Sequence, residues 1–222
     1  MQEQRIFIIT GHYGSGKTEF AVNFALRLKE RFPRVALSDL DIVNPYFRSR
    51  EREALLKEHG VELIASPARM GNADLPAIPA QVLSIFEDEA LAGVIDVGGD
   101  PVGARVLARF APHLQSKNYA LYMVLNFNRG LTKDAASAIH YLKGIEASSG
   151  LKVTGLVNNT HLCGETTAED VLRGNALSLE VARETGLPLL FNAFDRRLSN
   201  ELEGKLTGEP FPLTLYMKKP WE

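Results

Sequence analysis

The amino-acid sequence predicts an α/β fold: a doubly wound, mostly parallel sheet of about seven strands with helices on both faces. Two observations predict it. Short runs rich in isoleucine, valine and leucine recur along the chain without strict polar alternation, which is typical of strands that are buried on both faces. Amphipathic segments separate these runs, so a β-α repeat extends over almost the whole length.

The elements follow one another in a regular order. The predicted strands are RIFIIT, RVALSDL, VELIAS, AGVIDVGG, YALYMVLNF, LKVTGLVNN and LPLLFNAF. The predicted helices cover residues 18–32, 51–59, 78–91, 101–116, 131–148, 167–185 and roughly 195–206. Prolines and a glycine in the segment 66–79 predict a long loop. No Gly/Ser-rich or Pro-rich linker divides the chain, and we expect residues 1–222 to form one domain.

Composition and charge narrow the classes of function. The 222 residues are 45% hydrophobic and 23% charged, which suits one sizeable core. The formal net charge of −2 supplies no basic field for a polyanion, so nucleic-acid binding is not expected. Cys163 is the only cysteine, which excludes an intrachain disulfide and favours a reducing compartment. The N-terminal segment lacks the layout of a signal peptide and no apolar run approaches the ~18 residues of a membrane span. A soluble cytoplasmic protein is therefore predicted.

The segment GHYGSGKT, residues 11–18, fits the pattern G-x-x-x-x-G-K-[ST] and lies between a predicted strand and a predicted helix. We call residues 11–18 the phosphate loop. Small residues let successive backbone N–H groups surround phosphate oxygens at the positive end of a helix. Lys17 then reaches the β- and γ-phosphates, and the Thr18 hydroxyl binds Mg²⁺. The predicted nucleotide contacts in this segment are Gly11, Gly14, Ser15, Gly16, Lys17, Thr18 and Glu19.

Three aspartates lie at or just after the ends of predicted strands and are candidate metal ligands. Asp96 ends the strand of AGVIDVGG and is predicted to be the carboxylate on the Mg²⁺ side of the site. Asp39 and Asp41 follow the second strand, at the carboxyl edge where ligands of such sheets bind. Either of these two could bind Mg²⁺ or orient the attacking water, and Asp39 could instead serve as a structural cap.

Together, the glycine-rich loop, the D-x-D after the second strand and the later DVGGD resemble the CobQ/CobB/MinD/ParA branch of P-loop ATPases, which belongs to the SIMIBI class. This resemblance implies an ATP- and Mg²⁺-dependent switch that acts on a protein partner. It implies that Asp41 is the aspartate required for hydrolysis and that Lys17 and Asp96 are catalytic together with it. Residues 41–50 are then similar to switch I, and residues 96–103 to switch II. A homodimer is compatible with the resemblance, and a membrane partner is not expected.

Recognition of the base has two candidate segments. VTGLVNNTHL resembles the family strand that ends in an adenine-contacting asparagine, which would be Asn159, with Asn158 as the alternative. An asparagine that simply turns the chain after a strand would look the same. Leu131–Asp134, LTKD, resembles the guanine-reading pattern [NT]-K-x-D, but its aspartate comes one residue too early. The sequence therefore favours ATP over GTP.

His12 and Tyr13 depart from the family pattern. Many relatives carry a lysine at the position of His12, which contacts the phosphates of a partner copy, and a glycine at the position of Tyr13. A neutral imidazole replaces that lysine poorly at pH 7. We expect any ATP-driven association to use another cation, with Arg48 as the first candidate, or the protein to act as a monomer or as a dimer joined elsewhere.

Three functions stay open from the sequence. The first is the ATP-dependent switch on a partner protein. The second is a ligase-type enzyme that activates a small carboxylic acid, similar to dethiobiotin synthetase or CobB, although the chain is short and lacks a glutaminase-like domain. The third is a module that binds nucleotide without hydrolysis, against which the presence of Asp41 and Asp96 argues.

Overall fold

The structure is a computed structural model that describes residues 4–40, 52–65, 81–115 and 118–217. Asp41, Arg48 and the whole loop predicted over 66–79 lie outside these ranges, so the roles predicted for them stay predictions.

The described residues form eight strands and seven α-helices that alternate through most of the chain. The strands are β1 Ile6–Thr10, β2 Arg34–Asp39, β3 Val61–Ala65, β4 Leu91–Asp96, β5 Tyr119–Leu125, β6 Gly155–Asn158, β7 Leu189–Asp195 and β8 Glu209–Leu213. The helices are α1 Lys17–Leu28, α2 Glu53–Glu58, α3 Val82–Glu87, α4 Pro101–Gln115, α5 Ala135–Ser149, α6 Ala168–Thr185 and α7 Ser199–Leu202.

All strands belong to one sheet in the order β3-β2-β4-β1-β5-β6-β7-β8, and every neighbouring pair is parallel. The strands that follow β1 first extend to one side of it, as β2 to β4, and then to the other, as β5 to β8. In a doubly wound sheet this reversal opens a crevice at the carboxyl edge. The predicted fold class is confirmed, and the reversal falls beside the phosphate loop, which follows β1.

The eighth strand, β8, was not predicted. Its sequence, EPFPL, contains Pro210 and Pro212, which cannot donate backbone hydrogen bonds and so argue against a strand in the interior of a sheet. Among the described strands β8 pairs only with β7, so it lies at an edge of the described sheet, where one row of N–H groups needs no partner strand. Phe211 and Leu213 are buried while both prolines are exposed. The alternation along β8 therefore agrees with a strand that has one buried face.

The helix predicted over residues 195–206 is broken into two short pieces. A 3₁₀ turn covers Arg196–Leu198 and begins where the Asp195 side chain accepts a hydrogen bond of 3.0 Å from the Arg197 N–H. The short α7 follows it, and Gly204 adopts a left-handed φ of 69° soon after α7 ends. Local capping and a left-handed glycine thus interrupt a segment whose composition suits a helix.

Two apolar layers cover the sheet, and β1 contributes to both. Ile6 and Ile8 pack into the layer formed with α3, α4 and α5, whereas Phe7 and Ile9 pack into the layer formed with α1 and α2. Successive side chains of a strand point to opposite faces, so a strand covered on both faces is apolar throughout. This arrangement fixes β1 in the centre and determines where the phosphate loop leaves the sheet.

An aromatic cluster joins α1 to the edge strand β8. The ring centroids of Phe20 and Phe211 lie 5.0 Å apart, and those of Phe191 and Phe211 lie 5.5 Å apart. Phe24 stacks on Phe20, and the Arg27 guanidinium lies 5.0 Å from the centre of the Phe211 ring. Aromatic pairs at such distances stabilise beyond their buried area. The cluster therefore holds α1 in place, and with it the loop that precedes the helix.

We predict that Phe211→Ala lowers the free energy of unfolding by about 3 kcal/mol, because it removes a buried ring and leaves a cavity. Urea denaturation measures the change. Leu215→Ala serves as the control, because Leu215 is 50% exposed and its truncation should change the free energy by under ~0.5 kcal/mol. Equal, small losses in both variants would contradict the packing described for β8.

Candidate functional site

The phosphate loop leaves the carboxyl end of β1 and ends at the first turn of α1. Gly14 and Gly16 adopt left-handed φ angles of 77° and 76°, which favour glycine. The Ser15 N–H donates to the His12 carbonyl at 2.9 Å and closes a tight turn. The first intrahelical bond of α1 joins the Phe20 N–H to Gly16 O at 3.0 Å. The amides of residues 17–19 therefore precede that bond and point out of the positive end of the helix.

Two close backbone approaches fix the start of the loop. A Cβ atom added to Gly11 would lie 2.5 Å from the carbonyl oxygen of Val124 on β5. A Cβ added to Gly99, in the loop after β4, would lie 2.0 Å from Gly11 O. Only residues without a side chain permit these approaches. The loops after β1 and β4 therefore touch each other through glycine backbones.

Side chains that directly follow β5 and β6 hold the carbonyl oxygens of the loop. The Asn159 Nδ2 donates to Ser15 O at 2.8 Å, and the Asn126 Nδ2 donates to Gly14 O at 3.0 Å. In a trans peptide the C=O and the following N–H point in opposite directions, so the Gly16 N–H points away from Asn159. The amide side chains thus set the orientation of the loop's peptide groups.

Asn159 and Asn158 are both buried and both make hydrogen bonds to the protein. The hydrogen bond to Ser15 O makes Asn159 a support of the phosphate loop, and a base contact from it remains a prediction. Asn158 donates to the Asn192 Oδ1 at 2.9 Å and to the Val171 carbonyl at 3.1 Å, inside a network between β6, β7 and α6. Of the two, only Asn159 contacts the phosphate loop through its side chain.

Two predicted carboxylates lie side by side. Asp39 and Asp96 are register partners at the ends of β2 and β4, and they are 6% and 1% exposed. Paired residues of parallel strands point to the same face of the sheet, so the two carboxylates share one face. Asp96 is also paired with Ile9, two residues before Gly11. The sheet register therefore brings both carboxylates close to the start of the phosphate loop.

Lys17 and Thr18 occupy the first turn of α1 and are 6% and 7% exposed. The hydroxyls of Thr10 and Ser15 are fully buried in the same region and have no hydrogen-bond partner among the described residues. A buried hydroxyl without a partner destabilises a protein by about 1–3 kcal/mol. Such hydroxyls favour a polar ligand at this end of the sheet.

A magnesium ion fits the residues that the sheet brings together here. Within the described ranges, no three His, Cys, Asp or Glu side chains form a metal cluster. Mg²⁺ does not require such a cluster, because it keeps several waters and binds one or two carboxylates together with phosphate oxygens. The predicted ligands Thr18, Asp39 and Asp96 would hold the ion.

The Glu19 side chain points to the C-terminal segment. Its carboxylate accepts hydrogen bonds from the Tyr216 N–H at 2.8 Å and the Met217 N–H at 3.0 Å. Burial raises the pKa of Glu19, and these hydrogen bonds lower it in part. The predicted nucleotide contact of Glu19 would therefore have to come from its backbone N–H.

His12 and Tyr13 point in different directions. The His12 ring packs edge-on against Tyr141 of α5 at a centroid distance of 5.2 Å, while Tyr13 is 60% exposed at the tip of the loop. Burial lowers the pKa of His12, and the charges of Arg129 and Lys17 lower it further. The imidazole is therefore neutral at pH 7 and packs against Tyr141 of its own chain.

His161, Asn126 and Arg129 contact the loop and were not predicted. The Cys163 N–H donates to the His161 Nδ1 at 3.2 Å, and the other side of the ring faces the backbone of Gly14 and Ser15. Burial, followed by the charge of Arg129, lowers the pKa of His161 to about 4. The sequence does contain a signal for Asn126, because it directly follows β5 as Asn159 directly follows β6.

The guanine-like segment LTKD has a structural role. Asp134 is the N-cap of α5, and its side chain accepts a hydrogen bond of 2.8 Å from the Ser137 N–H. Hydrogen bonds from Ser137 lower the pKa of Asp134. The preceding residues form a 3₁₀ turn, Gly130–Thr132, and Leu131 is exposed. Asp134 therefore caps a helix. In the sequence it comes one residue too early for the guanine-reading pattern.

The fold is similar to that of several solved structures. FtsY from Mycoplasma mycoides matches with a TM-score of 0.56 and 18% identity, over 85% of this chain and 59% of that chain. The cell division protein FtsY from Thermotoga maritima matches with a TM-score of 0.60 and 16% identity, over 86% and 64%. The signal recognition particle 54 kDa protein from Aeropyrum pernix, in complex with GDP, matches with a TM-score of 0.52 and 20% identity, over 85% and 41%. No protein-family model and no curated protein matches the sequence.

The chain thus has an α/β P-loop NTPase-like fold. It spans less than two thirds of the length of these neighbours, 59% and 64% for the two FtsY proteins. At identities of 16% to 20% the likeness extends to the fold alone and does not show the CobQ/CobB/MinD/ParA branch. In the part of the chain that the structure describes, no helix has the length and apolar character of a bilayer crossing.

We predict that His161 makes the protein less stable as the pH falls. Its pKa is lowered from 6.5 to about 4 in the folded state, so the unfolded chain binds a proton first. The free energy of unfolding should fall between pH 6.5 and pH 4, by up to about 3 kcal/mol from this residue. His161→Asn should reduce that fall in the free energy of unfolding, which urea denaturation at pH 6.5 and at pH 4 measures. His59→Asn, at an exposed position, is the control, and the same pH dependence in all three proteins would contradict the prediction.

Proposed function

We propose that this protein binds MgATP at the phosphate loop, hydrolyses it, and acts as a nucleotide-dependent switch on a partner protein. The observation that carries the proposal is the glycine cradle at the positive end of α1, with its carbonyl oxygens held by Asn126 and Asn159 and with Asp39 and Asp96 at the adjacent strand ends. Peptide groups oriented in this way bind phosphate oxygens without further reorganisation.

The residues of the site have distinct tasks in this proposal. Lys17 places its ammonium against the β- and γ-phosphates, and the first-turn amides of α1 bind the other oxygens. Thr18, Asp39 and Asp96 hold Mg²⁺, which would neutralise charge on the phosphate oxygens when bound. Asp41 orients the attacking water, as the family resemblance of the D-x-D segment implies. The loop that follows β4 is the part that responds to the terminal phosphate.

The contact between Gly99 and Gly11 supports a switch. Gly99 lies against the backbone of the phosphate loop, and a Cβ on Gly103, in the first turn of α4, would lie 2.5 Å from Gly98 O. The loop after β4 therefore contacts the phosphate loop at Gly99 and the first turn of α4 at Gly98, so a shift of this loop would be passed to α4. Helix α4 belongs to a packed apolar layer, which moves as a unit more readily than it deforms.

ATP is the proposed nucleotide, and GTP is the second candidate. The segment 155–163, which comprises β6 and the five residues after it, contains no carboxylate to accept hydrogen bonds from the N–H groups of guanine. The LTKD aspartate caps a helix. The observation in favour of guanine is that two structural neighbours, from Elizabethkingia anophelis and Aeropyrum pernix, are complexes with GDP. Calorimetric titration with MgATP and MgGTP decides between them, because only the cognate base should bind in the micromolar range.

The ligase alternative predicts a different dependence of turnover. A switch should hydrolyse ATP slowly by itself and faster with its partner, so fractions of a cell extract should raise the rate. A ligase-type enzyme should turn over only when a small carboxylic acid is added. Rates that depend on the acid and not on a protein fraction would replace the proposed switch by the ligase, while a protein that binds ATP without turnover would be the non-hydrolysing module.

We predict that Lys17→Ala weakens MgATP binding at least about tenfold, because it removes an ammonium from the phosphate oxygens. Isothermal titration calorimetry measures the dissociation constant. Lys133→Ala, which removes an exposed lysine from the LTKD segment, is the matched control and should bind as the wild type does. An affinity of Lys17→Ala within about threefold of wild type would contradict the assignment of the phosphate loop.

We predict that Asp41→Asn keeps ATP binding and slows hydrolysis by about a hundredfold or more, the scale for the loss of a positioned base or water-orienting group. Asp96→Asn should instead raise the Mg²⁺ concentration that turnover requires. Phosphate release at several Mg²⁺ concentrations separates the two effects. If Asp41→Asn hydrolyses ATP at the wild-type rate, another residue orients the water.

A further inference from the structure

The Arg129 side chain lies directly against the phosphate loop. Its Nε donates to Gly14 O at 3.1 Å. A Cβ added to Gly14 would lie 2.8 Å from that Nε and 3.2 Å from the guanidinium carbon. Gly14 thus leaves room for the guanidinium to approach the loop, in addition to allowing the left-handed backbone.

The backbone around Arg129 is well fixed. The Arg129 N–H donates to the Asn126 carbonyl at 3.2 Å, and the Thr132 hydroxyl donates to the same carbonyl at 2.8 Å. Thr132 N–H in turn donates to the Arg129 carbonyl at 3.0 Å. Because β5 is the neighbour of β1 in the sheet, the turn after β5 delivers Arg129 to the loop after β1. The guanidinium is therefore positioned by the fold.

Arg129 has no carboxylate partner in the part of the chain that the structure describes. The hydrogen bond of its side chain goes to Gly14 O. Its charge lowers the pKa of both His12 and His161, and Lys17 acts on His12 as well. Two cations therefore lie near the same loop, and a guanidinium with one donor engaged keeps four N–H groups for a ligand.

Support of the loop alone does not require this charge. The Gly14 carbonyl already accepts a hydrogen bond from the neutral Asn126 Nδ2 at 3.0 Å. A half-buried guanidinium without a carboxylate partner is unfavourable unless an anion binds to it. The bidentate geometry of a guanidinium suits phosphate oxygens in particular.

From this geometry we propose that Arg129 is the second cation of the phosphate site and binds the terminal phosphates of the nucleotide held by its own chain. This inference rests on the proposed function and extends it. In the family that the sequence resembles, a lysine at the position of His12 supplies positive charge from a second copy. Here Arg129, which follows β5, supplies that charge from the same copy. Nucleotide binding then needs no dimer for charge neutralisation.

The test compares Arg129→Gln and Arg129→Lys with wild type. Calorimetry measures the affinity for ADP and for a non-hydrolysable ATP analogue, each with Mg²⁺. Glutamine keeps a neutral donor and lysine keeps the charge, so the pair separates loop support from phosphate binding. We expect Arg129→Gln to lose about tenfold in affinity for the ATP analogue and clearly less for ADP, and Arg129→Lys to recover most of the loss. Raising the salt concentration should weaken analogue binding more in wild type than in Arg129→Gln.

Controls separate the outcomes. Arg183→Gln, at an exposed position near the end of α6, should bind both nucleotides as wild type does. Equal affinities of wild type and Arg129→Gln for the ATP analogue, or equal losses for ADP and the analogue, would overturn the role of Arg129 and leave the proposed function intact. A folded wild type that binds neither nucleotide, ATP or GTP, would overturn the proposed function and this inference with it.

Discussion

The conformation of the phosphate loop depends on hydrogen bonds that hold its carbonyl oxygens from outside. Asn126 and Asn159 follow adjacent parallel strands, and each reaches one carbonyl of the loop that follows β1. Peptide planarity then directs the opposite N–H groups, and left-handed glycines make the turn without strain. The site is thus built before any ligand arrives, which is the condition for strong binding of an anion by neutral groups.

The packing below the loop serves the same arrangement. The aromatic cluster between α1, β7 and β8 fixes the axis of α1, and therefore the direction in which its first-turn amides point. On the other face of the sheet, α5 supports the loop through the contact between Tyr141 and His12. Asn158, Asn175 and Asn192 form a buried amide network that joins β6, β7 and α6. Such networks stabilise one arrangement when every member is hydrogen-bonded.

Charged groups of both signs lie at this edge of the sheet. Lys17 and Arg129 lie with the loop and the positive end of α1, whereas Asp39 and Asp96 lie at the ends of β2 and β4. The two histidines beside the loop are kept neutral by burial and by the nearby cations. Burial is the main cause of their lowered pKa values, and the nearby cations lower these values further.

The sequence by itself determined the fold class, the order of the elements and the phosphate loop. These follow from apolar runs, their spacing and a glycine pattern, all of which are local properties of the chain. β8 escaped prediction because its prolines are acceptable only at an edge, and strand order decides which strand is an edge. The sequence also placed Asn159 and Glu19 in one site with the loop, but tertiary structure decided which way their amide and carboxylate point.

Only the tertiary structure brought Arg129, Asn126 and His161 to the loop. Their separation from it along the chain exceeds 100 residues, for example 115 between Arg129 and Gly14, and the position of Asn126 directly after a strand is the one local signal among the three. The contacts with the loop arise because β5 pairs with β1 and β6 pairs with β5, and the carboxyl ends of neighbouring parallel strands meet at one edge. The sequence supplies the residues, and the order of the strands in the sheet decides which of them share a site.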